Sequence, residues 1–396
     1  MTELDPEAIA RDVAAVVQVP SVTGDERAVL DRVGAVAERL GLKAELHRHD
    51  LAALRAHPGH PGEEAPRDEL WGLTVAAGAG EGRLCLNGHV DVVGPGEQAW
   101  ERDPWSGAIE DGFVHGRGSA DMKGGVIAAL HALAAVAGEA RCEVVLQAVA
   151  SEEDGGLGTF AALEADDRFD AALIPEPTAF AIAPAQAGAL TFSGVVPGVS
   201  AHGATRLEGV SAIDRYVEIH RALAEHERRL NSDVADPLLR ELPLPYPLSV
   251  GRVSAGRWSS QVPDRLEFEG RLGVRVGETV EEARAAFEAV VHGVCAEAEV
   301  AWSGGQFAPG ATPSDHPFCT LVRDAAAEVL GAPPPFVGVP YGSDMSQFSA
   351  RGIPAVMFGP GGLERAHAVD ERVRVDDLVA VARTIVGVVS RYRPSP

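Results

Sequence analysis

The chain has 396 residues, 46% hydrophobic and 23% charged, which excludes a disordered tail, a collagen-like repeat and a disulfide-stapled miniprotein. Its 34 Lys and Arg stand against 58 Asp and Glu, a net charge of −24; that balance repels phosphate backbones and anionic lipid, so neither nucleic acid nor a membrane is an expected partner. Four scattered cysteines, Cys85, Cys142, Cys295 and Cys319, form no C-x-x-C pair and read as free buried thiols of a reducing compartment.

Two amphipathic helices are predicted first, over 6–18 and 25–40, with Thr23-Gly-Asp-Glu between them as an N-cap signal for the second. The acidic N-terminus lacks a basic region followed by an apolar one, and no run reaches the ~18 apolar residues of a membrane span, so a cytoplasmic location is expected. Residues 50–70, rich in Pro, Gly and charge, read mostly as a surface loop. Buried-strand runs follow within 83–93 and 141–154, with an apolar helix at 124–138 between them. A strand and turn are expected at 169–178 and a late strand at 353–361. This alternation predicts an α/β layer with a mainly parallel sheet.

The middle of the chain differs. A strand at 189–198, a helix at 209–230, strands within 247–256 and 264–276, a helix at 279–298 and a strand at 299–304 give the order β-α-β-β-α-β. That is the order of a ferredoxin-like α+β unit. It is expected to be inserted into the α/β domain, so that 1–187 and 307–396 form one domain and 188–306 the other.

Ligand-type residues fall after the strand runs. His89 and Asp91 follow one, Glu152 and Glu153 the next, and Glu176, between two prolines, the one after. In an open α/β sheet the functional crevice lies beyond the carboxyl ends of the strands, so several strands deliver His, Asp and Glu to one edge. Asp121 stands in the glycine-rich HGRGSADMKGG, and His367 in a glycine loop after the 353–358 strand. Mixed carboxylates and imidazoles suit Zn²⁺ or a similar metal. Two ions ~3.5–4 Å apart can share a carboxylate and activate a water between them. In the pair Glu152-Glu153 one carboxylate can bind metal while its neighbour takes a proton.

NGHVDVV, WERDPWSGAIEDGFVHGRGSADMKGG, SEED, IPEPT and a late AHAVDE together resemble the dinuclear zinc amidohydrolase and metallopeptidase family that includes acetylornithine deacetylase, succinyl-diaminopimelate desuccinylase, aminoacylase and carboxypeptidase G. The similarity spans nearly the whole chain, inserted domain included. It implies that His89 and Glu176 hold one Zn²⁺, that Glu153 and His367 hold the other, and that Asp121 bridges them, with Co²⁺ or Mn²⁺ as alternative metals. It makes Asp91 the acceptor of the second ring N–H of His89 and Glu152 the general base acting on a metal-bridging water. GVSAHGATRLEGVSAI resembles the family's lid segment, whose histidine, here His202, stabilises the oxyanion, in dimeric members from the partner subunit. Arg275 and Gln261, with Gly342 and Ser343 of the PYGSDM loop, match substrate-holding positions. Gln261 stands where relatives usually carry asparagine, Arg206 where proline is common, and Asp370 where asparagine is common.

The resulting expectation is a metal-dependent amidohydrolase that removes an N-acyl group from a small amino-acid-like substrate, working as a homodimer through its lid. A dipeptidase or carboxypeptidase of the same family is the alternative, and a catalytically silent metal- or ligand-binding protein is the alternative of another class. Other features carry less. LHRHD (46–50), with His57 and His60 nearby, has a His-x-His spacing but no companion carboxylates at a strand end. Neither G-x-G-x-x-G nor a G-x-S-x-G elbow occurs. Lys123 is expected to support its turn, and Cys295 and Cys319 to pack in the core.

Overall fold

The structure, a computed structural model, describes residues 4–394. Its central strands are built from nearly uninterrupted apolar runs, and Arg83–His89 and Glu143–Val149 are buried along almost their whole length. Such strands need cover on both faces, the condition of a parallel sheet. Glu143–Val149, Arg83–His89, Ala171–Ile174 and Ala355–Met357 lie side by side in that order, and all are parallel. Antiparallel strands flank them: Trp71–Ala77 and then Ala44–Arg48 on one side, Ile182–Gln186 on the other. The expected mainly parallel sheet is therefore present, with antiparallel margins.

The helix Lys123–Val136 is apolar all round and nearly every residue is buried. A helix without a polar face belongs in the interior, and it packs against Pro6–Val17 and Val375–Arg391. Its one charged residue, Lys123, donates from Nζ to the Val19 carbonyl at 3.1 Å; burial pushes its pKa down to about 7. A separate apolar cluster of Leu51, Leu54, Leu70, Leu157 and Phe160 closes around the helix Leu157–Ala165.

The chain divides into two compact units, one of Met1–Ala185, Ala311–Val337 and Ser343–Pro396, the other of Gln186–Gly310 with Gly338–Gly342. In the second, the antiparallel strands stand in the order Leu248–Ala255, Arg265–Val274, Gly188–Pro197, Glu299–Phe307. With the helices Ala212–Leu230 and Val280–Val294 this is the split β-α-β arrangement. Gly188–Pro197 alternates buried and half-buried residues, so one face meets the helices through Phe192, Phe268, Phe287 and Tyr216. Ser211 caps the first of these helices and a Thr279–Glu282 capping box starts the second.

Two local expectations need correction. Thr23 does not cap the helix Arg27–Arg39, which starts without any side-chain cap; its hydroxyl is drawn instead to the Asp91 carboxylate at 3.1 Å. The 50–70 stretch is not simply a surface loop. Asp50 caps a short helix, Leu51–Ala56, and Arg67 is fully buried at its guanidinium. Among the described residues the His-x-His pair belongs to no metal-type cluster: His47 Nε2 meets Thr74 Oγ1 at 2.7 Å, while His49 Nε2 is buried without a hydrogen-bond partner.

Burial pushes the His49 imidazole down to about 4, so it stays neutral in the folded chain where the unfolded chain would protonate it. The unfolded state then binds more protons between pH 6.5 and 4, and stability falls as pH drops through that window. Thermal midpoints of wild type and His49→Gln, compared across pH 7 to 4, should show a shallower acid loss for the variant; equal slopes would remove His49 from the acid response.

Candidate active site

Each candidate metal ligand leaves the carboxyl end of a parallel strand or a loop clamped beside it. His89 ends the Arg83–His89 strand, and its Nδ1 is 2.9 Å from the main-chain carbonyl of Asp91. In that contact the Nδ1 N–H donates to the carbonyl, which turns Nε2 toward Asp121 Oδ1 at 3.2 Å and Glu176 Oε1 at 3.8 Å. Burial disfavours the imidazolium, but Asp121, Glu176, Glu152 and Asp91 outweigh it and hold the pKa of His89 well above its ordinary value.

The expected contact of the Asp91 carboxylate with the His89 ring is corrected: that oxygen lies 3.7 Å away, and the carbonyl makes the short contact. The fully buried carboxylate accepts instead from the main-chain N–H of Glu152 and of Glu153, each at 3.1 Å. Asp91 thus fixes the turn that carries both glutamates. That turn begins at Ser151 with φ of 63°, a left-handed conformation uncommon outside glycine, and the Ser151 hydroxyl bonds Asp154.

Asp121 faces both histidines. Oδ1 approaches His89 Nε2, and Oδ2 lies 3.6 Å from His367 Nε2. His367 Nε2 also reaches Glu153 Oε2 at 3.0 Å. The main chain at Asp121 is held by Glu371, a residue the sequence reading did not single out. The buried Glu371 accepts from the N–H groups of Gly118, Ala120 and Asp121 and from Arg117 Nη1 at 2.8 Å. Arg117 Nη2 in turn donates to the His367 carbonyl at 3.3 Å. Arg117 and Glu371 therefore tie the Asp121 loop to the His367 loop. The available signal was a buried Arg–Glu pair inside the motifs GRGSAD and AHAVDE, which sequence alone does not pair.

Glu176 sits in a turn clamped by glycines. A Cβ on Gly125 would lie 2.2 Å from the Pro175 carbonyl oxygen, and one on Gly359 would lie 2.3 Å from that of Glu176. Only bare backbone fits on both sides of the turn. Burial, reinforced by neighbouring carboxylates, holds Glu152 and Glu176 well above the usual carboxylate range. Burial likewise raises Asp344 to about 7; Thr159 Oγ1 donates to its Oδ2 at 2.7 Å.

Among the described residues, two groups of metal-ligand-type side chains have ligand atoms within 4.8 Å of one another: His89, Asp121 and Glu176, and Asp121, Glu153 and His367. Asp121 belongs to both. These donors fit divalent cations on the geometry itself. Nε2 of His89 faces two carboxylate oxygens, an arrangement that needs either a proton or a cation between them. Nitrogen and oxygen donors of this mix suit zinc-like ions.

The remaining sequence candidates have other placements. In the second unit, Nδ1 of the exposed His202 accepts from the Ala204 N–H at 3.1 Å, and Gln261 Nε2 donates to Ser200 Oγ at 2.5 Å. Arg275 lies at the end of Ala212–Leu230, where Nε and Nη2 donate to the carbonyls of Leu230 and Arg229 at 3.0 and 2.6 Å. Gly342 packs so close to Phe307 that a Cβ would lie 2.3 Å away. Ser343 is buried, and its hydroxyl accepts from the Met345 N–H at 3.2 Å at the start of a short helix.

A model of peptidase family M20/M25/M40 matches residues 85–391. A protein of Rhodospirillum centenum named succinyl-diaminopimelate desuccinylase is 30% identical over 408 residues, covering 96% of each chain. One of Halalkalibacterium halodurans named N-formyl-4-amino-5-aminomethyl-2-methylpyrimidine deformylase is 26% identical over 339 residues, covering 76% of this chain and 77% of that one. The solved structure of an M20 family metallo-carboxypeptidase from Sulfolobus solfataricus matches with a TM-score of 0.79 at 16% identity, over 98% of this chain and 99% of that one; at that identity the likeness is one of fold.

Because Asp121 belongs to both clusters, its loss should differ in kind from that of an unshared residue. Equilibrium dialysis against Zn²⁺ should give about half the wild-type metal content for Glu176→Ala and almost none for Asp121→Ala. Equal losses in the two variants would dissolve the shared-ligand arrangement.

Proposed function

The chain belongs to peptidase family M20/M25/M40, and from that premise we propose that it is a metal-dependent amidohydrolase removing an N-acyl group from a small amino-acid-like substrate. The observation that carries this reading is the pair of ligand clusters joined at Asp121 with Glu152 on the adjoining turn. His89 and Glu176 would hold one ion, Glu153 and His367 the other, and Asp121 both. When bound, such ions supply Lewis acidity to the amide carbonyl and make a water easier to deprotonate.

Glu152 is the proposed general base. It takes a proton from the attacking water, whose oxygen forms the new bond to the acyl carbon. As the C–N bond breaks, the proton passes from Glu152 to the leaving nitrogen, so water and amide yield a carboxylic acid and an amine. Asp91 acts on the turn: by accepting both amide N–H groups it aims Glu152 and Glu153 together. His202 is proposed as the donor to the developing oxyanion, because Nδ1 is occupied as an acceptor and the neutral ring carries its proton on Nε2.

The relative named a desuccinylase supports an N-acyl amino acid over a peptide as substrate. A homodimer through the second unit is proposed on that unit's exposed apolar side chains, Val199, Leu207, Val253 and Trp258, and on the edge position of Leu248–Ala255 in its sheet.

Release of free amine from N-acetyl, N-succinyl, N-formyl and dipeptide substrates, measured on zinc- or cobalt-loaded protein, tests the activity. Turnover of one acyl class is expected, with Glu152→Gln slower by about 10²- to 10⁴-fold at unchanged metal content. Turnover of dipeptides alone would replace the deacylase by a peptidase. Silence across the panel, or a fully active Glu152→Gln, would overturn the mechanism. Light scattering should give twice the chain mass, falling to one chain for Val253→Lys; a monomeric wild type would end the dimer proposal.

A further inference from the structure

We propose that Arg67, in the Pro/Gly-rich stretch before the first central strand, is a positioning residue for the Glu152–Glu153 turn. The proposal rests on the functional reading above for the roles of those two glutamates. Arg67 lies far from them in sequence, yet Nη2 donates to both oxygens of Asp154 at 3.2 Å and Nη1 to Glu26 Oε1 at 3.3 Å. All three side chains are buried.

Each partner reaches one side of the site. Asp154 directly follows Glu153. It accepts from the Ser151 hydroxyl and from the Glu64 and Ala65 N–H groups at 3.0 and 2.8 Å, so it joins the catalytic turn to the Arg67 loop. Glu26 accepts from the Gly24 N–H at 2.6 Å, and the neighbouring Thr23 hydroxyl donates to Asp91. The Arg67 guanidinium thus bridges two turns that both hold the Asp91 carboxylate. Backbone packing follows the same route: a Cβ on Gly155 would lie 2.7 Å from the Gly62 carbonyl oxygen, and one on Gly24 would lie 3.1 Å from that of Pro66.

Charge gives the arrangement its purpose. Asp154 and Glu26 are buried acids beside a cluster already crowded with carboxylates. Unpaired, Asp154 would repel Glu153 and push its turn outward; Arg67 offsets that charge while its two terminal nitrogens reach Asp154 and Glu26 at once, a span the single Nζ of a lysine does not reproduce. The consequence is asymmetric. Glu153 and Glu152 ride on the supported turn, whereas His89 and Glu176 are anchored by other strands.

The test compares wild type, Arg67→Met, Arg67→Lys and the double variant Arg67→Met/Asp154→Asn in three readouts: kcat and KM, stepwise Zn²⁺ affinity by chelator competition, and thermal midpoint. Loss of a residue that orients ligands lowers activity or metal affinity by about 10- to 100-fold. Arg67→Met should lower kcat by that factor at little-changed KM. It should also weaken one of the two Zn²⁺ steps while sparing the other, and Glu176→Ala should weaken the step that Arg67→Met spares. Arg67→Lys should fall between the two, and the double variant should regain part of kcat and of the weakened step. Wild-type kcat and both wild-type affinities in Arg67→Met would overturn the proposal. So would equal weakening of both steps without recovery in the double variant, since that is the pattern of general destabilisation. Where Arg67→Met does not fold, Glu26→Gln and Arg67→Lys carry the same comparison. The Zn²⁺ steps read the proposal even on a chain that hydrolyses none of the panel, which separates its failure from failure of the proposed activity.

Discussion

The buried carboxylate of Asp91 is the interaction on which the site depends. A carboxylate without solvent must be satisfied by fixed donors, and Asp91 takes the Glu152 and Glu153 N–H groups and the Thr23 hydroxyl. One side chain therefore sets two neighbouring glutamates relative to the strand that ends in His89. Its own carbonyl fixes which ring nitrogen of His89 faces the other ligands. Strand order brings these groups to one edge, and this hydrogen bonding determines how they point.

The same crowding creates an electrostatic problem. Asp91, Asp121, Glu152, Glu153 and Glu176 gather around two imidazoles, and like charges held this close raise one another's proton affinity. The protein surrounds the cluster with paired supports. Arg117 is matched to Glu371 under the Asp121 loop. That pair is buried, and it adds rigidity without adding net charge to the cluster. The charge left over is the demand that a pair of divalent cations would meet.

Much of this was legible in the chain. Apolar runs ending in His89, Glu152 and Glu176 marked strand ends, and the β-α-β-β-α-β order of the middle emerged from period and turn residues. Candidate ligands could be named because the motifs stand in a recognisable order. What stayed hidden involved partners distant in sequence. Glu371 looked like one more surface acid until its four donors were seen. The contact of the Arg275 guanidinium with the last carbonyls of Ala212–Leu230 was equally invisible in the chain. Thr23 has the residue type of an N-cap, but tertiary contact with Asp91 outcompetes that local role.

Taken by itself, then, the sequence determined the fold class, the order of elements and the residues able to carry metal and proton chemistry. Each of these follows from local periodicity and residue type along contiguous stretches. Only the tertiary structure decided which nitrogen of His89 faces the cluster and which distant partners hold the ligand-bearing loops in place. Those outcomes turn on distances of a few ångströms between segments as far apart as Asp121 and His367, or Arg117 and Glu371. A hydrogen bond or ligand geometry of that kind is selected by packing, and no local pattern in the chain encodes it.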